Sequence, residues 1–417
     1  MTYSVGIDFG TSGARAIAID SRRHVVAQAR QTYAGSLVSA DTWRLALLAL
    51  IDQLPLTVRQ QTEAIAINGT SSTVLLCDRE GSPLGDALLY NDSRGQDLVD
   101  TVSAIAPAGS PTLSATSTLT KLLWWCGGAW RPPANAAYLM HQADWLGWLL
   151  HHQLGISDYH NALKLGYDVG ALQYPDWLTE LGIAPLLPRV VAPGSAIAPV
   201  APAIAQRFQL PPTCQVCAGT TDSIAAFLAS GAQQPGDGVT SLGSTLVIKL
   251  LSEVRVDDSA SGVYSHRLGN LWLVGGASNT GGAVLKHYFS DQQLAALSQQ
   301  INSDRPAHLD YYPLLSPGER FPINAPHLQP RLTRPSDDVQ FLQGMLEGIA
   351  RIEALGYQRL RALGASPLQQ VYTAGGGGKN LVWQAIRQRQ LGTTVQAAQQ
   401  PEAAYGSALL AQSTSPG

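Results

Sequence analysis

The chain opens with YSVGIDFGTSGARAIAID, two short apolar runs joined by a Gly/Ser/Thr turn, which predicts a β-hairpin with residues 8–13 at its tip. The same arrangement returns in GVTSLGSTLVIKL, where residues 239–242 lead into Gly243, Ser244 and Thr245 and then into residues 246–250, so an internal duplication is expected. Between the two, EAIAIN (63–68) and STVLLCD (72–78) read as strands, while TWRLALLALIDQL and HQADWLGWLLHHQLG have the length and spacing of buried helices. The second half repeats the theme. LWLVGGAS is a strand running into glycines, residues 341–363 form a helix, and QVYTAGGGGKN is a strand running into a glycine loop. In that helix Leu342, Met345, Leu346, Ile349 and Ile352 recur at helical spacing, so its apolar face should pack on a sheet, and Glu347 stands four residues before Arg351, the spacing of a helical ion pair.

Strands and helices alternate throughout, the pattern of an α/β protein. At 417 residues the chain exceeds what one core usually serves, so two domains of roughly 200 residues each are expected. The composition turns rich in Pro and Gly at 185–213 and polar at 232–238, which puts the boundary near Ala229. The predicted division is 1–229 and 230–401, with residues 402–417, containing the helix EAAYGSALLAQ, returning to the first domain.

Composition then removes whole classes of function. The formal net charge is -3 and no dense Lys/Arg run occurs, so the electrostatic footprint of a nucleic-acid partner is missing. No stretch reaches the span of a membrane helix, and the N-terminus starts a strand at once, without the basic and apolar regions of a secretion signal. Cys77, Cys126, Cys214 and Cys217 are too few for a disulfide framework, which suits the cytoplasm or another reducing compartment. The pair Cys214 and Cys217 lies in the apolar run CQVCAGT and reads as small buried hydrophobes rather than a metal site. Trp124, Trp125, Trp145 and Trp148 are expected mostly in cores, and the adjacent His151 and His152 cannot share one ligand face.

Four tight turns rich in Gly, Ser and Thr follow strands, at residues 8–13, 241–245, 275–282 and 375–378. Such turns let backbone N–H groups approach an anion, and four together favour a polyphosphate. The Walker pattern fails around Lys379, because Thr373 and Asn380 stand where it needs glycine and a hydroxyl residue. The dinucleotide fingerprint fails at Asn380 or Leu381, where its third glycine would be. Asp222 comes where CQVCAGT hands over to SIAAFLAS. It is either an N-cap or a carboxylate placed to take a proton from an attacking hydroxyl. Asp8 is either a turn-forming residue or an oxygen ligand for Mg2+. Asn91, Asp92 and Arg94, in LLYNDSRG, supply paired donors and acceptors of the kind polyol hydroxyls need, and read equally well as a solvated loop.

These residues resemble the FGGY family of carbohydrate kinases over essentially the whole chain and in the same order. The resemblance rests on DFGTSGAR (8–15), YNDSR (90–94), TLTKLLWW (118–125), AGTTDS (218–223), SLGST (241–245), GGASNTGG (275–282), GMLEGI (344–349) and AGGGGKN (374–380). It implies two RNase H-like domains of the actin/Hsp70/hexokinase superfamily with an ATP cleft between them. It also implies ATP and Mg2+ as cofactors, a sugar deeper against the first domain, and Asp222 as catalytic base. Asp8 would hold the metal and lie near the sugar, with Gly10, Thr11, Ser12 and Arg15 at the phosphate end of ATP. Gly243, Ser244, Thr245 and Gly281 would close on the phosphates from the other domain, and Gly376, Gly377, Lys379 and Asn380 would cradle adenosine. Ser72, Asn91, Asp92 and Arg94, with Asp222, would surround the sugar. The chain is shorter than most members, and Trp125 stands where an aliphatic residue or Phe is usual. YNDSR resembles the motif of xylulokinases and related pentulose kinases more than that of glycerol kinases.

The expectation is therefore ATP-dependent phosphorylation of a small ketose, D-ribulose first and D-xylulose second. The partners would be the sugar and ATP, with neither nucleic acid nor membrane, in a monomer or homodimer. The rival readings are a kinase for another polyol or hexulose, and a nucleotide-driven switch on the same fold, which would need neither YNDSR nor a base at Asp222.

Overall fold

The computed structural model describes residues 2–127 and 130–413. The chain divides into two compact units, Met1–Ala229 with Glu402–Gly417, and Ser230–Pro401. The last of the residues expected to return, 414–417, lie outside the described ones.

In the first unit six strands, β1 (Tyr3–Phe9), β2 (Gly13–Asp20), β3 (Val25–Thr32), β4 (Thr62–Gly69), β5 (Ala196–Pro199) and β6 (Gln215–Thr221), form one sheet in the order β3-β2-β1-β4-β6-β5. β1, β2 and β3 meander antiparallel, and β4 and β6 continue parallel to β1. Side chains alternate across a strand, so β1 serves two layers. Val5, Ile7 and Phe9 enter the core with Trp43, Leu47, Leu50 and Ile51 of α1 (Ala40–Gln53). Gly6 faces the other way, and a Cβ there would lie 2.0 Å from the carbonyl oxygen of Ala404, so only glycine lets the C-terminal helix (Ala403–Gln412) rest directly on the strand. That helix also packs Ala404, Tyr405 and Ala408 against Ile17, Ile19 and Ala229. Covered on both faces, β1 reads as a nearly continuous apolar run.

A separate apolar cluster holds Val74, Leu76, Leu119, Leu122 and Leu123. It joins the two-stranded sheet of Val74–Cys77 and Tyr138–His141 to α2 (Thr118–Cys126). α3 (Gln142–His151) follows that sheet, and α4 (Asp222–Ala229) follows β6. All four cysteines are buried thiols, and burial pushes Cys77 and Cys214 up to about 12. No helix among the described residues is long and apolar enough to cross a membrane.

The second unit contains β7 (Asp237–Leu242), β8 (Leu246–Ser252), β9 (Tyr264–Leu268), β10 (Leu271–Ser278), β11 (Gln370–Ala374) and β12 (Thr394–Ala397). Their order is β9-β10-β8-β7-β11-β12. β7, β8 and β10 meander antiparallel, and β11 and β12 continue parallel to β7. The five-strand pattern of the first unit thus recurs. The extra antiparallel strand lies at opposite edges, β5 beside the last parallel strand and β9 beside the third meander strand.

α5 (Asp338–Ala362) buries Phe341, Leu342, Met345, Leu346, Ile349 and Ile352 and packs beside α6 (Leu381–Leu391). The expected Glu347–Arg351 pair does not form. Glu347 is buried and its carboxylate receives Arg389 at 2.9 Å, while Arg351 donates to the carbonyls of Leu309 and Tyr311. The segment holding Leu309 and Tyr311 packs against α5 at Gly344, where a Cβ would lie 2.7 Å from the Tyr311 ring and 2.8 Å from Leu309. Two turn expectations are also corrected. Asp8 lies within β1, opposite Arg15 of β2, and not at the hairpin tip; Gly275 and Gly276 are strand residues of β10.

Candidate active site

Register brings the first unit's candidates together. Phe9, Gly69 and Thr221 lie side by side across β1, β4 and β6, so the chain leaves the sheet at Gly10, Thr70 and Asp222 along one edge. Such an edge, outside the carboxyl ends of parallel strands, is where open α/β sheets present ligand sites.

Asp8 stands one residue inside that edge, on the face that Gly6 turns to the C-terminal helix. It is 8% exposed, and among the described residues its carboxylate has neither a hydrogen bond nor an ion pair at contact distance. Burial, then the charge of Asp222, push its pKa up to about 7, and Arg15 opposes them. Arg15 itself is engaged at 2.7 Å by Glu402, which also receives Arg30 at 2.9 Å. A buried carboxylate with a second one in electrostatic reach and no partner is a site short of positive charge, which suits a hard cation. Two further buried oxygens nearby lack partners among the described residues, Asn68 Oδ1, level with Asp8, and Thr221 Oγ1, just before Asp222. Among the described residues no group of three His, Cys, Asp or Glu gathers as a metal cage, so a cation here would keep much of its water, as Mg2+ does.

Asp222 is the first residue of α4, half-buried, and its Oδ1 accepts the Ser223 amide at 2.7 Å. The hairpin tip closes through Gly10 N to Gly13 O at 3.1 Å, Tyr33 Oη donates to Gly10 O at 3.0 Å, and Thr11 and Ser12 are exposed.

The turn after β4 is held by Gln142, whose Oε1 accepts both the amide and the hydroxyl of Thr70. Ser72 adopts a left-handed φ of 63° and is buried, and among the described residues its Oγ has no partner. Asp92 accepts the Arg94 amide and, bidentate, its guanidinium at 2.9 Å. Burial pushes the Asp92 carboxyl up, but the Arg94 bonds outweigh it and leave the group below its ordinary value. Arg94 also lies 4.6 Å from the ring centre of Trp124, which is 41% exposed, unlike the buried Trp145. Asn91 is exposed beside them.

In the second unit the glycine turns also meet at one edge. Ser241 of β7 pairs with Ala374 of β11, so the tip at Gly243, Ser244 and Thr245 and the turn from Gly375 leave the sheet side by side. Gly282 N donates to Gly243 O at 2.9 Å and Leu246 N to Thr280 O at 2.7 Å, which seats the third turn on the first. Gly281 has φ 147°, and a Cβ there would lie 2.6 Å from the Thr245 backbone. Thr280 Oγ1 is buried without a partner among the described residues. Residues 376–379 form a single 3-10 turn, with Gly376 and Lys379 exposed and Gly377 half-buried. Asn380 caps α6, accepting Trp383 N at 3.0 Å and donating to Ser298 Oγ at 2.9 Å.

Beneath these turns lie polar braces that the sequence reading did not assign. Glu319 accepts the Asn279 amide at 2.8 Å, the Ser278 hydroxyl at 2.5 Å and the Tyr312 hydroxyl at 3.0 Å. Arg387 pairs with Glu353 through two contacts of 2.7 Å and reaches Thr373 Oγ1 at 2.6 Å, while Thr240 donates to Glu353. Lys121, Tyr33, Arg30 and Glu402 were likewise unassigned in the first unit. Only Lys121 carried a signal, as a lone charge inside the apolar run TLTKLLWW.

Comparison with known proteins bears on the whole chain. The xylulose kinase of Streptomyces rubiginosus is 28% identical over 94% of this chain and 83% of its own. That of Klebsiella pneumoniae is 25% identical over 92% of this chain and 83% of its own. The solved xylulose kinase from Rhodospirillum rubrum shares the fold, with a TM-score of 0.84 at 22% identity over 99% of this chain and 89% of that one. The N-terminal domain of the FGGY family of carbohydrate kinases matches residues 3–229, and its C-terminal domain matches residues 238–414. With both domains matched in sequence order, the chain belongs to the FGGY family of carbohydrate kinases.

Proposed function

We propose that this chain phosphorylates a pentulose with ATP and Mg2+, D-xylulose ahead of D-ribulose, with Asp222 as general base. The observation that carries the reading is the shared edge of β1, β4 and β6, where Asp8, the Ser72 turn and Asp222 meet. Mg2+-ATP would supply the phosphoryl group and the charge that neutralises it. Asp8 would hold the cation through water, because Arg15 only partly offsets the burial of its carboxylate and the charge of Asp222. The backbone amides around Gly10, Thr11 and Ser12 would face phosphate oxygens, with Arg15 beside them. Gly243, Ser244, Thr245 and Gly281 would serve the nucleotide phosphates from the second unit, and Gly376, Gly377, Lys379 and Asn380 its adenosine. Ser72, Asn91, Asp92 and Arg94 would bind sugar hydroxyls, Arg94 steadied by Trp124. Asp222, at the start of a helix and half-exposed, would take the proton as the hydroxyl attacks. The xylulose kinases described above support a pentulose over glycerol.

ADP release over D-xylulose, D-ribulose, hexuloses, glycerol and erythritol tests this, with Asp222→Asn as control. Turnover on one pentulose is expected, and the variant should fold and lose about 10^2 to 10^4-fold, the usual worth of a general base. Sugar-independent ATP hydrolysis, or near-normal turnover in Asp222→Asn, would overturn it.

A further inference from the structure

Lys121 interrupts the apolar run of α2 and is 0% exposed, an unusual place for a lysine, which ordinarily keeps its ammonium in water. Its Nζ donates to the carbonyl oxygens of Ser72 and Leu89, each at 2.7 Å. These carbonyls belong to separate stretches of chain. Ser72 lies in the turn after β4, with the left-handed backbone noted above, a conformation that persists only where the surroundings hold it. Leu89 directly precedes residues 90–94, and its carbonyl also accepts the Asp92 amide at 3.0 Å, so the ammonium grips the turn that aims Asp92 and Arg94. Among the described residues no carboxylate is within ion-pair distance of Lys121. Burial pushes its pKa down to about 7, and Asp92, acting at longer range, opposes this.

A charge buried without a counter-ion is costly, and α2 could be packed by methionine at the same length. What methionine cannot do is hold two carbonyls from two segments at one point. We infer that Lys121 is a positioning residue that ties the Ser72 turn to residues 90–94 and so fixes the spacing of the groups that recognise the sugar. The inference rests on the kinase reading for its ligand, and on the two hydrogen bonds for its geometry.

The test compares full-length wild type with Lys121→Met and Lys121→Arg, the latter keeping the charge but changing donor spacing. The KM for D-xylulose should rise on the order of 10- to 100-fold in Lys121→Met, the scale of a small misplacement of binding groups. KM for ATP and kcat at saturating sugar should stay near wild type, and amide exchange should quicken at residues 70–73 and 90–95 alone. Lys121→Arg should show the same pattern more weakly, and serves by itself if the methionine variant does not fold. Wild-type sugar affinity with both segments still protected would overturn the inference. So would equal loss of sugar and ATP affinity with exchange raised across the whole unit. A wild type without sugar-dependent turnover would instead sink the kinase reading, and the exchange data would then decide the tie between the segments on their own.

Discussion

The edge of the first sheet, where β1, β4 and β6 end, carries two carboxylates, Asp8 and Asp222. The corresponding edge of the second, where β7 and β11 end, carries glycines, hydroxyls and one lysine in residues 241–245 and 375–380 and no acid at all. The strand pattern is the same, so the difference is not dictated by topology. It lies in what each edge holds unsatisfied. The first keeps a buried carboxylate whose burial and neighbouring Asp222 outweigh the opposing charge of Arg15. The second has a buried ion pair, Arg387 with Glu353, and an exposed Lys379. The first edge thus carries buried negative charge, and the second carries glycine and hydroxyl turns of the kind that let backbone N–H groups approach an anion.

Breaking the second unit's brace should have the largest effect. Arg387→Met leaves Glu353, itself 0% exposed, without its partner, and the expected loss of stability is about 3–5 kcal/mol. Amide exchange in α5 and α6 measures it in that unit, and adding Glu353→Leu should recover most of it. If single and double variants lose equally, shape rather than charge holds the turns.

The first unit should answer to pH instead. The folded pKa of Asp8, about 7, stands above its ordinary value of 3.8, so ionising it opposes folding. The penalty is absent below the unfolded pKa, grows as pH rises, and is complete above the folded one, where it amounts to at most about 4 to 5 kcal/mol at roughly 1.4 per pK unit. Asp8→Asn should therefore melt higher than wild type at pH 8, with the advantage vanishing toward pH 4. An advantage of constant size would mean that the Asp8 carboxyl does not titrate against its burial.

The smallest effect tests the seat of the turns. Gly281→Ala forces a methyl against Thr245 and should destabilise by about 1–3 kcal/mol. It should also raise KM for ATP more than KM for sugar, and an equal rise in both would remove Gly281 from the nucleotide side.

Much of this frame was legible in the chain. Both hairpins, the strand before Asp222 and the long helix follow from apolar period and glycine placement, because backbone hydrogen bonding and burial act over short stretches. The glycine turns were recognisable as strand exits, and the order of motifs carried the family. Residue by residue the reading failed where the partner was distant. Glu347 is bound to Arg389 and not to Arg351, four residues on.

By itself, then, the sequence determined which stretches become strand, helix and turn, and which chemical groups are available. Only the tertiary structure decided that Asp8 would be buried in a strand facing the C-terminal helix, that Lys121 would join two loops, and that Trp124 would lie open beneath Arg94. The physical reason is that desolvation and hydrogen-bond partnership depend on which segments pack together, and residues far apart in the chain meet through register and packing that local periodicity does not encode.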